Sequence, residues 1–460
     1  MQHLFSNHCT VPARWGRLLA VTWALWALWP AAHAVLPIAH WQQANGARVY
    51  LVANPNLPMV DVQIDVDAGS RRDPARQPGL ASAAAGQLDS GVRALPGAQG
   101  ARAQALDENQ LGQAWADLGA SFGASVSADR LSFSLRSLSD PDLLAKAAQL
   151  AARQMAHPAF PAAVWRRDRE KTVAALRESL TRPGTVAAER YAQAVYSGHP
   201  YGWRSTPESL QRIEVADLRR WHAQALRTCR AVVSVVGDVD RQRADALVST
   251  LLAHWPQGGC EPLPAVAEVP PLSAAQDIRV PFNSAQAHVL IGQPGHKRND
   301  PDFFALLLGN HILGGGGFTS RLTTQVREQR GLSYSVYSYF SPALHAGAFT
   351  MGLQTRPDQA EQAVQVARAV LADFVKNGPT EAELQAAKDN LMGGFALRID
   401  TNRKLLENVA GIAWNQLPLD YLDQWRAQVA RVGVADVQRA MARVLQPERM
   451  VTVVVGAPQP

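Results

Sequence analysis

The chain has 460 residues, 47% of them hydrophobic and 18% charged, with a formal net charge of +6. That length exceeds one ordinary core and calls for two or more domains, and the composition excludes a disordered chain. The positive charge is mild and no Lys/Arg cluster interleaves with aromatics, which argues against a nucleic-acid-binding role.

Arg14 and Arg17 open a positively charged N-terminal region. Leu18–Trp29 is an apolar run of 12 residues, short for a bilayer span. Pro30-Ala-Ala-His-Ala34 then supplies small residues for a signal-peptide cut after Ala34. The alternative is an uncleaved anchor, but no second apolar run of spanning length follows. Residues 1–34 are therefore expected to be a signal peptide, and the mature chain an exported, bacterial periplasmic protein with no membrane span. Residues 1–34 hold two Arg and no Asp or Glu, so their removal takes the charge from +6 to +4.

Val49–Val52 and Met59–Val66 read as strands, from alternating apolar residues and β-branched content. Residues 141–156 carry apolar side chains at helical spacing, and Pro158 breaks that helix. Val215-Ala-Asp-Leu opens a helix leading to the strand Ala231–Gly237. Pro256–Ala275 is rich in Pro, Gly and Ala and reads as a linker. Beyond it, residues 278–292 read as strands, including His288-Val-Leu-Ile-Gly, and residues 359–376 as a helix, with Pro379 as a break. Val434-Ala-Asp-Val then opens a helix leading to Met450–Gly456. Asp217 to Asp436 (436 − 217) and Gly237 to Gly456 (456 − 237) are both 219 residues apart. Two separated features sharing one offset mark a duplication. The expected architecture is α+β: two similar domains, 35–255 and 276–460, joined by the linker 256–275, each an antiparallel-rich sheet packed with helices.

Cys9 leaves with the signal segment. Cys229, at the start of a predicted strand, and Cys260, after the next helix, either pair as one disulfide or stand as separate thiols.

Two stretches carry chemistry. The first runs from Gly69-Ser-Arg through Pro78-Gly-Leu-Ala81 to Leu88-Asp-Ser-Gly91. The second is His311-Ile-Leu-Gly-Gly-Gly-Gly-Phe-Thr-Ser-Arg, followed by Val326-Arg-Glu-Gln-Arg-Gly-Leu-Ser-Tyr-Ser-Val-Tyr-Ser338. In the second, a helix is expected from about Ser320, with Gly331 as its stop and Ser333–Phe340 as a strand. That alternation places Tyr334 on one face and Tyr337 and Tyr339 on the other. Arg327 in the last helical turn and Tyr334 beyond it can project toward one point. The plain alternative is an Arg at a helix C-terminus and a Tyr in a cross-strand pair.

Together these stretches resemble the M16 (pitrilysin/insulinase-like) zinc peptidases, over nearly all of residues 38–457. The resemblance implies two α+β domains making a clam-like half. In that family the residues after Gly-Leu-Ala form a His-x-x-Glu-His zinc helix. Here the three positions are Ser82, Ala85 and Gly86, none of them a good zinc ligand. The family's third ligand falls on Asp168, or on Glu170 if the register slips. No His pair in the chain has the spacing i, i+4 with a carboxylate between. Arg327 and Tyr334 match the family's Arg/Tyr pair, which contacts bound peptide near the scissile bond.

The resemblance therefore implies a non-catalytic, substrate-holding subunit that binds no cofactor itself. Its expected partner is an exported M16 chain bearing His-x-x-Glu-His and the zinc, forming a heterodimeric zinc metalloendopeptidase. The substrate would be peptide or unfolded protein. The alternative is a peptide-binding or scaffold protein without a proteolytic role. Other readings are weaker. Gly314–Gly317 lacks the Gly-Lys-Ser/Thr ending of a phosphate loop, and Ser90 lacks the Gly-x-Ser-x-Gly elbow of a serine hydrolase. His199 in Gly198-His-Pro-Tyr-Gly202 is expected to pack its loop.

Overall fold

The strand pattern expected from the sequence closes into two sheets in a computed structural model, which describes residues 37–95 and 103–456. The signal segment assigned to residues 1–34 lies outside the described residues. In chain order the first half contributes β1 (Ala39–Gln42), β2 (Arg48–Ala53), β3 (Met59–Val66), β4 (Gly91–Val92), β5 (Leu106–Asp107), β6 (Ser121–Val126), β7 (Leu131–Leu138) and β8 (Val232–Gly237). The second half contributes β9 (Gln276–Val280), β10 (Ala287–Pro294), β11 (Ser335–Phe340), β12 (Ala348–Thr355) and β13 (Val451–Val455). The first sheet runs β1-β2-β8-β3-β7-β6 and the second β9-β13-β10-β12-β11, with β4 and β5 a separate short hairpin. Without β1 the two orders are the same.

Most pairs are antiparallel, but β2–β8 and β9–β13 are parallel. Both sheets are therefore mixed. The late strand of each half, β8 or β13, inserts between two early ones and is buried at every position. A strand covered on both faces reads as a continuous apolar run, as Val232-Val-Ser-Val-Val and Val451-Thr-Val-Val-Val do. The glycine ending each run has a steric cause. A Cβ on Gly237 would lie 2.1 Å from the Met59 carbonyl oxygen, and one on Gly456 would lie 2.7 Å from that of Gln286. Their φ angles, +144° and +103°, also favour glycine.

The two halves exchange a helix. Pro183–Tyr196, from the first half, packs on β10 and β13 of the second sheet. Asn402–Trp414, its counterpart 219 residues later (402 − 183), packs on β8, β3 and β2 of the first. Tyr191 fastens the exchange by donating its hydroxyl to the Phe349 carbonyl at 2.7 Å, with Thr350 Oγ1 at 2.9 Å. The described residues accordingly form one compact unit.

The helix expected at 141–156 is present as Pro141–Ala156, capped by the Asp140 carboxylate, and the one expected at 359–376 spans Ala360–Asn377. Residues 256–275 hold no helix or strand, yet Val269 and Leu272 are buried. Cys229 does not start a strand: it lies in a 3₁₀ turn, Thr228–Arg230, before β8. It is bonded to Cys260, with Cα atoms 6.2 Å apart, which fastens the start of the 256–275 segment to the first sheet.

Candidate substrate-binding site

The site in the second half begins where the apolar helix Phe303–Asn310 loosens into a π-helical turn, His311–Gly315. Gly314 permits this, because a Cβ there would lie 2.5 Å from Ser338 Oγ and 2.6 Å from the Ser338 amide on β11. The glycine run thus serves close approach of two backbones. A 3₁₀ turn, Gly317–Thr319, follows and leaves Phe318 69% exposed. Arg321 then pins the next helical segment: its guanidinium pairs with Glu383 at 2.7 and 2.8 Å and with Asp373 at 3.2 Å. That pairing holds the Glu383 carboxyl down at about 2.

Residues Thr323–Glu328 are also π-helical, a widened turn found often at functional sites. The Gly331 amide bonds the Arg327 carbonyl at 2.9 Å and stops the helix, as its position predicts. Tyr334 does not lie on the strand, which begins at Ser335; it sits in the preceding bend and is 81% exposed. The alternation of β11 therefore stops short of it. Val336 and Ser338 face inward, while Tyr337 and Tyr339 face out and stack 5.9 Å apart.

Arg327 and Tyr334 do come together. The Arg327 guanidinium carbon lies 4.6 Å from the Tyr334 ring centroid and 4.8 Å from that of Phe318. Two exposed rings thus hold a planar cation between them. Stacking leaves the edge of a guanidinium available for its N–H donors, and among the described residues Arg327 has no ion pair or side-chain hydrogen bond. Phe318 was not singled out from the sequence. An aromatic directly after a glycine run, nine residues before the arginine, is the signal that marks it. Beside this group, β11 is the outer strand of its sheet, so its unpaired edge can take an extended peptide.

The other candidate positions lie in the first half. Asp73 caps the helix Leu80–Gly86 by accepting the amides of Gly79 and Ala81 at 2.7 and 2.9 Å. Burial pushes its carboxyl up to about 6. On that helix Ser82 and Gly86 are exposed and Ala85 is buried. Asp168, rather than the exposed Glu170, is the carboxylate that meets the helix end, accepting from Gln87 Nε2 at 2.8 Å. Arg167 also donates to it at 2.7 Å, which lowers its pKa, and reaches Glu108 at 3.0 and 3.1 Å. A hydroxyl, a methyl, a bare Cα and an engaged carboxylate do not fit zinc. Among the described residues no three His, Cys, Asp or Glu side chains are grouped to hold a metal.

Arg71 of the Gly-Ser-Arg frame is buried and donates to the Asp129 carbonyl at 2.7 Å. The Asp129 carboxylate accepts Tyr201 Oη at 2.5 Å and, across the halves, the Leu344 amide at 3.0 Å. His199 packs its loop. Nδ1 accepts the Tyr201 amide at 3.1 Å, so the ring is neutral with its proton on Nε2, which donates to the Ala267 carbonyl at 2.9 Å. Burial lowers its pKa.

A structure of a peptidase M16 inactive domain from Pseudomonas fluorescens superposes with a TM-score of 0.85. It is 33% identical, over 92% of this chain and 98% of that one. This chain belongs to the M16 peptidase family. A sequence profile described as "Peptidase M16 inactive domain" matches residues 212–391. A non-peptidase homolog from Helicobacter pylori is 26% identical over 86% of this chain and 89% of its own length. An uncharacterized zinc protease of Streptomyces coelicolor is 28% identical over 60% of this chain, and the match spans only 61% of that relative's length. Both that profile and the P. fluorescens structure are described as M16 inactive domains. Among the described residues of this chain no helix is long and apolar enough to cross a membrane.

Proposed function

We propose that this M16 chain is the substrate-holding subunit of an exported, heterodimeric zinc peptidase. The observation that carries the reading is the pairing of Arg327 with Tyr334 and Phe318 in a chain whose zinc-helix positions are Ser82, Ala85 and Gly86. The guanidinium donates to carbonyl oxygens of an extended peptide, and the Tyr334 phenol adds a further donor. The β11 edge supplies backbone hydrogen bonds that are indifferent to sequence. Chemistry at the peptide bond belongs to a partner M16 chain that carries His-x-x-Glu-His and its zinc. Arg327 and Tyr334 contribute orientation and stabilise negative charge developing on the carbonyl oxygen.

Co-expression with an exported His-x-x-Glu-His M16 chain is expected to give zinc-dependent peptide cleavage that neither chain shows alone. Arg327→Ala is expected to lower the turnover of that complex roughly 100-fold, the order seen when one oxyanion donor is removed. If Arg327→Ala and Tyr334→Phe both leave cleavage unchanged, the assigned roles are wrong. Metal analysis of the purified chain alone is expected to find no stoichiometric zinc.

The H. pylori relative is named a non-peptidase homolog, which favours one alternative: a peptide-binding or scaffold protein. Peptide binding that depends on Arg327, with no cleavage alongside any His-x-x-Glu-His partner, would select it.

A further inference from the structure

The first half holds a cavity of about 650 Å³ that peptide holding does not use. It opens between the end of the Pro141–Ala156 helix, the Val215–Ala225 helix and the turn after the Arg241–Leu251 helix. Its polar lining is Arg93, His157, Arg219, His222, Arg227 and His254, with no carboxylate among the described residues. Phe160 and Leu226, both buried, form an apolar wall.

Four of the six basic groups are unengaged, while Arg227 donates to the Ala223 and Leu226 carbonyls at 2.7 and 2.6 Å. His222 Nε2 sits 2.6 Å from the Met155 carbonyl, which places its proton there and leaves Nδ1 as the ring's remaining polar atom. The His157 and His254 rings meet edge to face at 5.1 Å. Among the described residues, neither these two rings nor the guanidinium groups of Arg93 and Arg219 make a hydrogen bond or ion pair. Burial lowers the pKa of His157, and His254, Arg93, His222 and Arg153 add to the effect. Burial also lowers that of His222, with Arg93 adding and the Met155 carbonyl opposing. Every charged neighbour named is positive, and an anion is the missing complement.

The duplication supplies an internal control. At the 219-residue offset, Arg219, His222 and Arg227 correspond to Gln438, Met441 and Gln446, and Met441 is fully buried in the second half's core. The fold itself therefore has no need of these three basic residues, whereas His157 corresponds to a basic residue, Lys376.

We infer that the cavity binds a small phosphomonoester, its phosphoryl group on the arginines and histidines and its organic part on the Phe160–Leu226 wall. Guanidinium groups match phosphate oxygens in charge and geometry, and the volume lies in the range of small-molecule sites, larger than phosphate alone fills.

Calorimetric titration of the full chain with phenyl phosphate, inorganic phosphate and phenol, at fixed ionic strength, tests this. The expected result is one phenyl phosphate per chain, bound more tightly than inorganic phosphate, with phenol not bound. Affinity should rise as pH falls from 8 toward 5, because a bound anion favours the protonated forms of His157 and His222 that burial otherwise disfavours. The triple variant Arg219→Gln, His222→Met, Arg227→Gln carries the duplicate's residues and should bind at least about tenfold more weakly, a loss of about 1.4 kcal/mol. Should that variant not fold, Arg219→Gln alone, on an exposed side chain, should show the weakening. No binding of phenyl phosphate, equal affinity for inorganic phosphate or for phenol, or undiminished binding by the folded variant would each overturn the assignment.

Discussion

At the scale of single residues, planarity sets the Arg327 site apart from a generic positive charge. A lysine there would keep the charge but lose the flat fork that stacks between Phe318 and Tyr334. Arg327→Lys is therefore expected to act nearly as severely as Arg327→Ala on partner-dependent cleavage, while thermal melting stays unchanged. Asp73 offers a second test at this scale. Its carboxyl is raised from 3.8 to about 6 by burial, so the folded chain keeps a proton that the unfolded chain has released. Asp73 thus costs stability as pH rises from about 4 to about 6, by on the order of 3 kcal/mol. Denaturation midpoints compared for the wild type and Asp73→Asn across that window should show this falling component in the wild type only. The sequence pointed to Arg327, Tyr334 and the substituted zinc positions. It did not point to Phe318 or Gln87, because each acts through a neighbour distant along the chain: Arg327 for one, Asp168 for the other.

At the scale of elements, the helix exchange is the feature with most consequence. Pro183–Tyr196 and Asn402–Trp414 each complete the sheet of the opposite half, so neither sheet is fully covered by its own contiguous segment. Tyr191→Phe should separate this contact from bulk packing. It keeps the ring and removes the hydroxyl that serves the Phe349 carbonyl and Thr350. The expected loss is about 1–2 kcal/mol of stability, measured by urea denaturation, with the second half's amides losing hydrogen-exchange protection first. Helix and strand positions were legible from apolar period and from Pro and Gly punctuation. Which sheet a helix covers was not, because an amphipathic stripe states that a face must be buried and is silent about the surface that buries it. The parallel β2–β8 and β9–β13 pairs were hidden for the same reason: they join strands far apart in the chain.

For the whole molecule, the segment between the halves is tied down, by the Cys229–Cys260 bond and by contacts such as His199 to Ala267 and Lys297 to Glu268. A cross-link between residues 31 apart is expected to contribute on the order of 3–4 kcal/mol through the entropy of the unfolded chain. Reduction, or Cys229→Ser with Cys260→Ser, should lower the denaturation midpoint by a corresponding amount while Arg327-dependent peptide binding persists. The sequence by itself determined the duplication, the α+β composition of each half and the residue types at Ser82, Ala85 and Gly86. Those are properties of residue type and spacing, and an alanine or glycine can offer no metal ligand in any fold. Only the tertiary structure decided that the halves exchange helices, that Tyr334 leaves the strand to meet Arg327, and that six basic side chains from distant parts of the first half share one cavity. Each of these depends on surfaces brought together from distant parts of the chain, where side-chain packing and charge, rather than local periodicity, select the partner.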